Sequence, residues 1–155
     1  MKFFFLTIII FSLNITVSSN EISGYAIITD GDTVKILNNR IRLHGIDAPE
    51  KKQKCLRNYK EYNCGLTATK ALAKKIGKNR IIKCKFQKKD RYNRYLGICF
   101  SGSINLNKWM VRNGHAIAYV KYSKDYIQDQ NYAKKNKLGL WSGIFIYPEK
   151  WRKLN

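Results

Sequence analysis

From residue 25 onward, apolar and polar positions alternate in short runs. Residues 25–29, 33–37 and 40–46 are alternating or β-branched and predict three strands. Asp30-Gly31-Asp32 and Asn38-Asn39 are turn signals between them, and Pro49 ends the third. Residues 65–76 predict a helix, with Leu66, Ala68, Leu72, Ala73 and Ile76 as its apolar positions. Two further alternating runs, 80–86 and 95–100, form a hairpin if 90–93 is their turn. A short helix over 106–112 is closed by Asn113-Gly114. A short strand at 116–120 and a last helix at 125–137, ending near Gly139, complete the pattern. Five or six short strands with interspersed helices predict an α+β fold, mainly β: a small, partly open β-barrel with helices packed on it.

The first residues follow a different pattern. Met1 and Lys2 precede an apolar run of 11 residues, 3–13, broken by Asn14 and followed by the small residues of Val17-Ser18-Ser19. This is the order of a secretory signal. A membrane-spanning helix needs about 20 apolar residues, so the run is short for an anchor. The expected organisation is a signal peptide over 1–19 and one domain over 20–155. The mature protein is then secreted or periplasmic, without stable membrane association.

The 4 cysteines suit an oxidising compartment. With 90–93 as a turn, Cys84 and Cys99 face each other across the hairpin, which leaves Cys55 to pair with Cys64. A zinc site is disfavoured because no C-x-x-C spacing exists and only 2 His are present.

Composition narrows the partners. The chain is 45% hydrophobic and 13% aromatic, which excludes collagen-like, low-complexity and wholly disordered classes. Its 30 Lys and Arg against 10 Asp and Glu give a net charge of +20, favouring a phosphate polymer or an anionic membrane surface. A membrane-active reading lacks an amphipathic basic helix beyond the signal. The charge is also uneven. Residues 30–50 hold 4 of the 10 acids, and residues 51–100 hold 16 bases against 2 acids. Carboxylates beside a basic stretch suit a chain that binds a polyanion together with a hard divalent cation.

Three segments carry the chemistry. Asp30-Gly31-Asp32-Thr33 and Ile46-Asp47-Ala48-Pro49-Glu50 both lie at strand ends. In a meander those ends converge, so Asp32 and Asp47 are candidate ligands of one Ca²⁺-like ion, with a backbone carbonyl and waters. Glu50 is placed to hold a water. Arg42, and Arg94 in the tip Asp90-Arg91-Tyr92-Asn93-Arg94, can neutralise a phosphodiester as its charge rises.

These segments, with Ile41-Arg42-Leu43-His44-Gly45, Tyr95-Leu96-Gly97 and Leu138-Gly139-Leu140-Trp141, resemble the thermonuclease (staphylococcal nuclease) family over roughly residues 24–145. The resemblance implies an OB-fold five-stranded barrel with about three helices. It implies calcium-dependent hydrolysis of DNA and RNA by a monomer with one divalent cation. It assigns Asp32, Asp47 and the Ala48 carbonyl to the metal, with Asp30 behind them. Glu50 becomes the general base, Arg42 and Arg94 the phosphate contacts, and Arg91 and Tyr92 the holders of a further phosphate.

One departure concerns the base and sugar. Where the family has two tyrosines two residues apart, Tyr119 is kept and Lys121 takes the second place. On a continuing strand, Tyr122 would face the other side. Another is that Cys55 and Cys64 bracket the family's flexible loop beside the active site, so a disulfide would stiffen it. A non-catalytic OB-fold binding module is the alternative reading, opposed by the retention of every acid. His44 and His115 read as structural, the three Trp as anchors of helices, and the Lys runs at 51–54, 74–78 and 134–137 as a nonspecific phosphate track.

Overall fold

A computed structural model describes residues 20–155; the signal-peptide reading falls on residues outside these. Strands β1 (Asn20–Ile28), β2 (Thr33–Ile36) and β3 (Asn39–Leu43) form the expected antiparallel meander. After β4 (Ile46–Asp47) comes a small hairpin, β5 (Cys55–Arg57) and β6 (Lys60–Tyr62), and then helix α1 (Cys64–Ile76). The hairpin of β7 (Ile81–Lys89) and β8 (Tyr95–Ser101) follows, with β9 (Ile104–Asn105), α2 (Leu106–Arg112) and β10 (Ile117–Ala118). The chain ends with α3 (Ile127–Lys135), a 3₁₀ turn (Gly139–Ser142) and α4 (Pro148–Leu154). Among the described residues, no helix is long and apolar enough to cross a membrane.

The sheet runs β3-β2-β1-β7-β8-β9, and β3 also pairs with β8. That parallel pairing, Ile41↔Tyr95, Arg42↔Leu96 and Leu43↔Gly97, closes the five-stranded OB-type barrel that the family resemblance implied, where the alternation alone suggested a partly open one. Closure removes two sheet edges that would otherwise present unpaired backbone groups. The interior is apolar: Val34, Ile36, Ile41 and Leu43 from the wall meet Ala68 and Leu72 of α1 and Leu106, Met110 and Val111 of α2. Burial of each Leu or Ile side chain contributes roughly 1.5–3 kcal/mol.

Two differences from the predicted elements shape the site. The run 40–46 is two strands, not one, because Gly45 turns the chain with φ +77°. The corner is tied down by buried Asn107, whose side-chain amide donates to the carbonyls of His44 (2.9 Å) and Gly97 (3.0 Å). The run 116–120 pairs only as far as Ala118 with β4, and Tyr119 begins a turn.

Both disulfides form as expected, Cys55–Cys64 and Cys84–Cys99. Cys84 and Cys99 are direct cross-strand partners. Gln87 bulges out of β7, so the tip spans 90–94, one residue longer than a symmetric turn over 90–93. The Cys55–Cys64 bond braces the base of the β5–β6 hairpin, an element with too little periodicity to be predicted.

Candidate active site

The acids gather at one end of the barrel because three short connections meet there. The β1–β2 turn supplies Asp30 and Asp32. Its Gly31 is required by contact: a Cβ there would lie 2.8 Å from the Ala48 methyl and 2.9 Å from that of Ala68. Asp32 lies immediately before Thr33, the register partner of Arg42 on β3. Asp47 ends β4. Five residues separate Arg42 and Asp47, an odd number, so on one continuous strand their side chains would point to opposite faces. The corner at Gly45 brings them together.

The contacts are dense. Arg42 donates from one terminal nitrogen to Asp32 Oδ1 (2.7 Å) and from the other to Asp47 Oδ1 (2.9 Å). Asp32 Oδ1 also accepts from the Thr33 hydroxyl (3.0 Å), and Oδ2 accepts from the Ala48 N–H (3.0 Å). Asp30 Oδ1 accepts from the Asp32 N–H (3.1 Å). The Asp47 side chain is fully buried and that of Asp32 nearly so.

Burial raises the Asp47 carboxyl above its ordinary value, with the Asp32 charge adding to it against the pull of the guanidiniums. Asp30 is lifted to about 6 by burial and then by the charge of Asp32. Burial works against the Arg42 charge, but the charges of Asp32 and Asp47 raise its pKa overall.

Glu50 is held by its backbone. Its N–H donates to the side-chain oxygen of Gln53 (3.2 Å) and its carbonyl accepts from the Gln53 N–H (2.7 Å). That carbonyl packs against Gly65 in the first turn of α1, at a point where a Cβ would collide with it. Gln53 is fully buried and also donates to the Ile146 carbonyl (2.6 Å), linking the Glu50 loop to the segment before α4.

That segment brings a residue that the sequence did not disclose. Arg152 of α4 donates to Asp47 Oδ1 (2.9 Å), Asp47 Oδ2 (3.1 Å) and Glu50 Oε1 (2.9 Å). Desolvation opposes its charge, yet pairing with Asp47 and Glu50 raises its pKa. A lone Arg in a short terminal helix has no motif. Only its position 102 residues from Glu50 in sequence and hydrogen-bonded to it in space reveals it.

Arg94 is not brought to the acids in the same way. Its guanidinium is held by Asp90 Oδ2, through Nε (2.8 Å) and a terminal nitrogen (2.7 Å). Asp90 Oδ1 meanwhile accepts from the N–H groups of Tyr92 (2.9 Å) and Arg94 (3.0 Å). Partial burial pushes Asp90 up, but these bonds hold its carboxyl below the ordinary value. Asp90 therefore organises the tip, a positioning role that the sequence pattern does not disclose although the tip motif contains it. Arg91 and Arg94 both lie over the Tyr92 ring, at 4.9 and 5.4 Å.

The tyrosine reading is corrected. Because Tyr119–Ser123 is a turn and not a strand, Tyr122 folds back, and its ring meets Tyr119 edge-on at 4.7 Å. Two aromatic rings are thus present despite Lys121 between them. Tyr119 senses the site: burial raises its pKa and the Asp47 charge adds to that. Lys121 lies 3.9 Å from Glu149 of α4.

The carboxylates and the Ala48 carbonyl are an all-oxygen donor set of the kind a hard divalent cation takes. Among the described residues, no group of three or more His, Cys, Asp or Glu side chains is arranged to hold a metal ion. Guanidinium nitrogens of Arg42 and Arg152 occupy the acids' faces instead. A cleft of about 370 Å³ beside Arg57, Tyr62, Thr67, His115 and Leu138 is bordered by none of these acids.

A family model described as Staphylococcal nuclease homologue matches residues 40–143. The Succinoglycan biosynthesis protein ExoI of Rhizobium meliloti (strain 1021) is 35% identical over 127 residues, covering 80% of this chain and 66% of that protein. An Uncharacterized endonuclease of Escherichia coli is 32% identical over 157 residues, covering 96% of each. The Probable staphylococcal-like nuclease CAN3 of Oryza sativa subsp. japonica is 32% identical over 146 residues. It is matched along 92% of this chain, which spans 36% of that longer protein.

Proposed function

The chain belongs to the staphylococcal nuclease family, and from that premise we propose that it is a calcium-dependent nuclease hydrolysing DNA and RNA with low sequence specificity. The observation that carries this reading is the meeting of Asp32, Asp47, Glu50 and Arg42 at one end of the barrel in a chain of net charge +20. Asp32, Asp47 and the Ala48 carbonyl are the residues that would hold calcium, with Asp30 behind them. Bound there, the ion supplies positive charge to a phosphoryl oxygen.

The rest is the work of the chain itself. Glu50 accepts a proton from water as the water oxygen bonds to phosphorus. The bond from phosphorus to the 5′-oxygen breaks, that oxygen takes a proton from solvent water to become the 5′-hydroxyl, and Glu50 returns its proton to solvent, leaving a 3′-phosphate. Arg42 and Arg94 stabilise the charge that rises on the phosphoryl oxygens. Arg91, Tyr92, Tyr119 and Lys121 hold the flanking nucleotides. The protein acts as a monomer after export to the periplasm or the medium, a reading supported by the apolar run at 3–13 and the two disulfides.

The test is hydrolysis of single- and double-stranded DNA and RNA with Ca²⁺ and with chelator. Cleavage is expected only with Ca²⁺, to 3′-phosphate ends, and Asp32→Ala should abolish it while the fold persists. Arg42→Ala should lower kcat by at least about 10²-fold, the scale of one lost electrostatic stabiliser. Full activity in chelator would overturn the calcium dependence. Binding without cleavage would favour the non-catalytic module.

A further inference from the structure

Helix α4 is attached to the body in an unusual way. The segment before it is well held: Leu56 and Ile144 exchange both backbone hydrogen bonds at 2.9 Å, and Gln53 donates to the Ile146 carbonyl. Beyond Tyr147 the hold is weaker. Pro148 is the only buried residue of the helix, and Leu154 is 64% exposed. Little apolar surface therefore fixes it. In its second turn Trp151 is half-buried, and the polar contact to the body is Arg152, which places two nitrogens on both oxygens of Asp47 and shares one with Glu50. The other nearby ion pairs of the helix, Lys121 with Glu149 and Lys153 with Glu149, are exposed and long, at 3.9 and 3.6 Å.

Arg152 thus covers both oxygens of Asp47, which the proposed calcium site would use, and one of Glu50, the proposed base. Arg42 takes only Oδ1 of Asp47, but Arg152 takes both oxygens, so a divalent cation on this carboxylate competes directly with Arg152. We propose that Arg152 is a resident counter-ion of the acids, and that α4 is a strap that must leave Asp47 and Glu50 before a divalent cation binds. In the cation-free protein the strap neutralises buried carboxylates that would otherwise repel one another. When a cation takes its place, α4 is freed, and its Arg152 joins the basic surface available to phosphate. By linkage, whatever holds α4 down weakens cation binding, and cation binding loosens α4 by the same factor. This inference rests on the calcium reading of the site.

The experiment is calorimetric titration of Ca²⁺ into the full chain without nucleic acid, for the parent, Arg152→Gln and Arg152→Lys. Amide hydrogen exchange of 148–154 in the parent, with and without Ca²⁺, accompanies it. Arg152→Gln should bind Ca²⁺ about tenfold more tightly or better, the scale for removing one unit charge facing a divalent ion across a few ångströms of wet protein. Arg152→Lys should stay close to the parent. Exchange in α4 should accelerate when the parent is saturated with Ca²⁺. If the parent binds Ca²⁺ and Arg152→Gln binds it no tighter, with α4 still protected, the strap is wrong and Arg152 merely positions the acids. If neither protein binds Ca²⁺, the calcium reading fails and the strap falls with it.

Discussion

Asp30 keeps its proton in the folded chain up to about pH 6, against an ordinary value of 3.8, because it is buried and then because Asp32 is charged beside it. The sign of the consequence is the reverse of the common carboxylate case. Between those two values the folded state binds more protons than the unfolded, so stability falls as pH rises from about 4 to about 6 and stays lower above. The effect is up to about 3 kcal/mol, because each tenfold change in proton affinity between the two states is worth about 1.4 kcal/mol. Asp30→Asn keeps an acceptor for the Asp32 N–H and removes the charge. Denaturant titrations in chelator should find this variant equal to the parent near pH 4 and more stable at pH 7. An unchanged pH slope would clear Asp30 of the effect. The identities of Asp30, Asp32, Arg42, Asp47 and Glu50 were legible as motifs in the sequence. Their mutual pairing was not. Arg42 reads as a phosphate ligand, and only the corner at Gly45 reveals that it also bridges two acids.

The long elements were legible because periodicity accumulates with length. Helix α2 matches its expected bounds, α1 differs by one residue, and the β7–β8 register follows from the cysteine positions. The elements that were missed are short and defined by distant partners. The β5–β6 hairpin, three residues a side, is stabilised by its disulfide and by Leu56 pairing with Ile144. Of its apolar residues, helix α4 buries only Pro148 and part of Trp151, and it is tied to the body by the segment before it and by Arg152. Gln53 joins these pieces. Gln53→Leu leaves the part-buried Glu50 N–H and Ile146 carbonyl without their partners, each at a cost below the roughly 1–3 kcal/mol of a fully buried unpaired group. The variant should melt earlier and lose kcat more than KM, because Glu50 and α4 are both displaced. A normal kcat in a destabilised variant would limit Gln53 to holding the fold.

Across the whole molecule the charge acts as a field more than as a set of contacts. Strand β7 exposes Lys83, Lys85, Lys88 and Lys89, and α1 exposes Lys74 and Lys78 lies just beyond its end. Lys75 differs from its neighbours: its ammonium lies 5.3 Å from the centre of the Trp109 ring and serves packing as well. Phosphate neutralisation makes affinity fall with salt, with a slope near 0.9 per contact on duplex DNA. Replacing Lys74 and Lys78 by Ala should raise KM on a short duplex, flatten its salt dependence and leave kcat as it is. A drop in kcat with unchanged KM would tie these lysines to the reacting phosphate instead. The total charge and the mainly-β class were plain from the sequence. Closure of the barrel came from the family resemblance and not from the alternation, because it depends on three parallel pairs between β3 and β8, about fifty residues apart.

Cys84 and Cys99 are both 0% exposed inside that closed wall. Thiol–disulfide exchange needs a thiolate to reach a sulfur. No external reductant or oxidant can therefore work on this bond while the barrel is shut. The bond must form before the last strand pairing closes over it, and afterwards it can be lost only at the rate at which the barrel opens. In a reducing medium, the survival of the linked form becomes a clock for global opening. A chain that closes with free thiols is sealed in that state until it next unfolds.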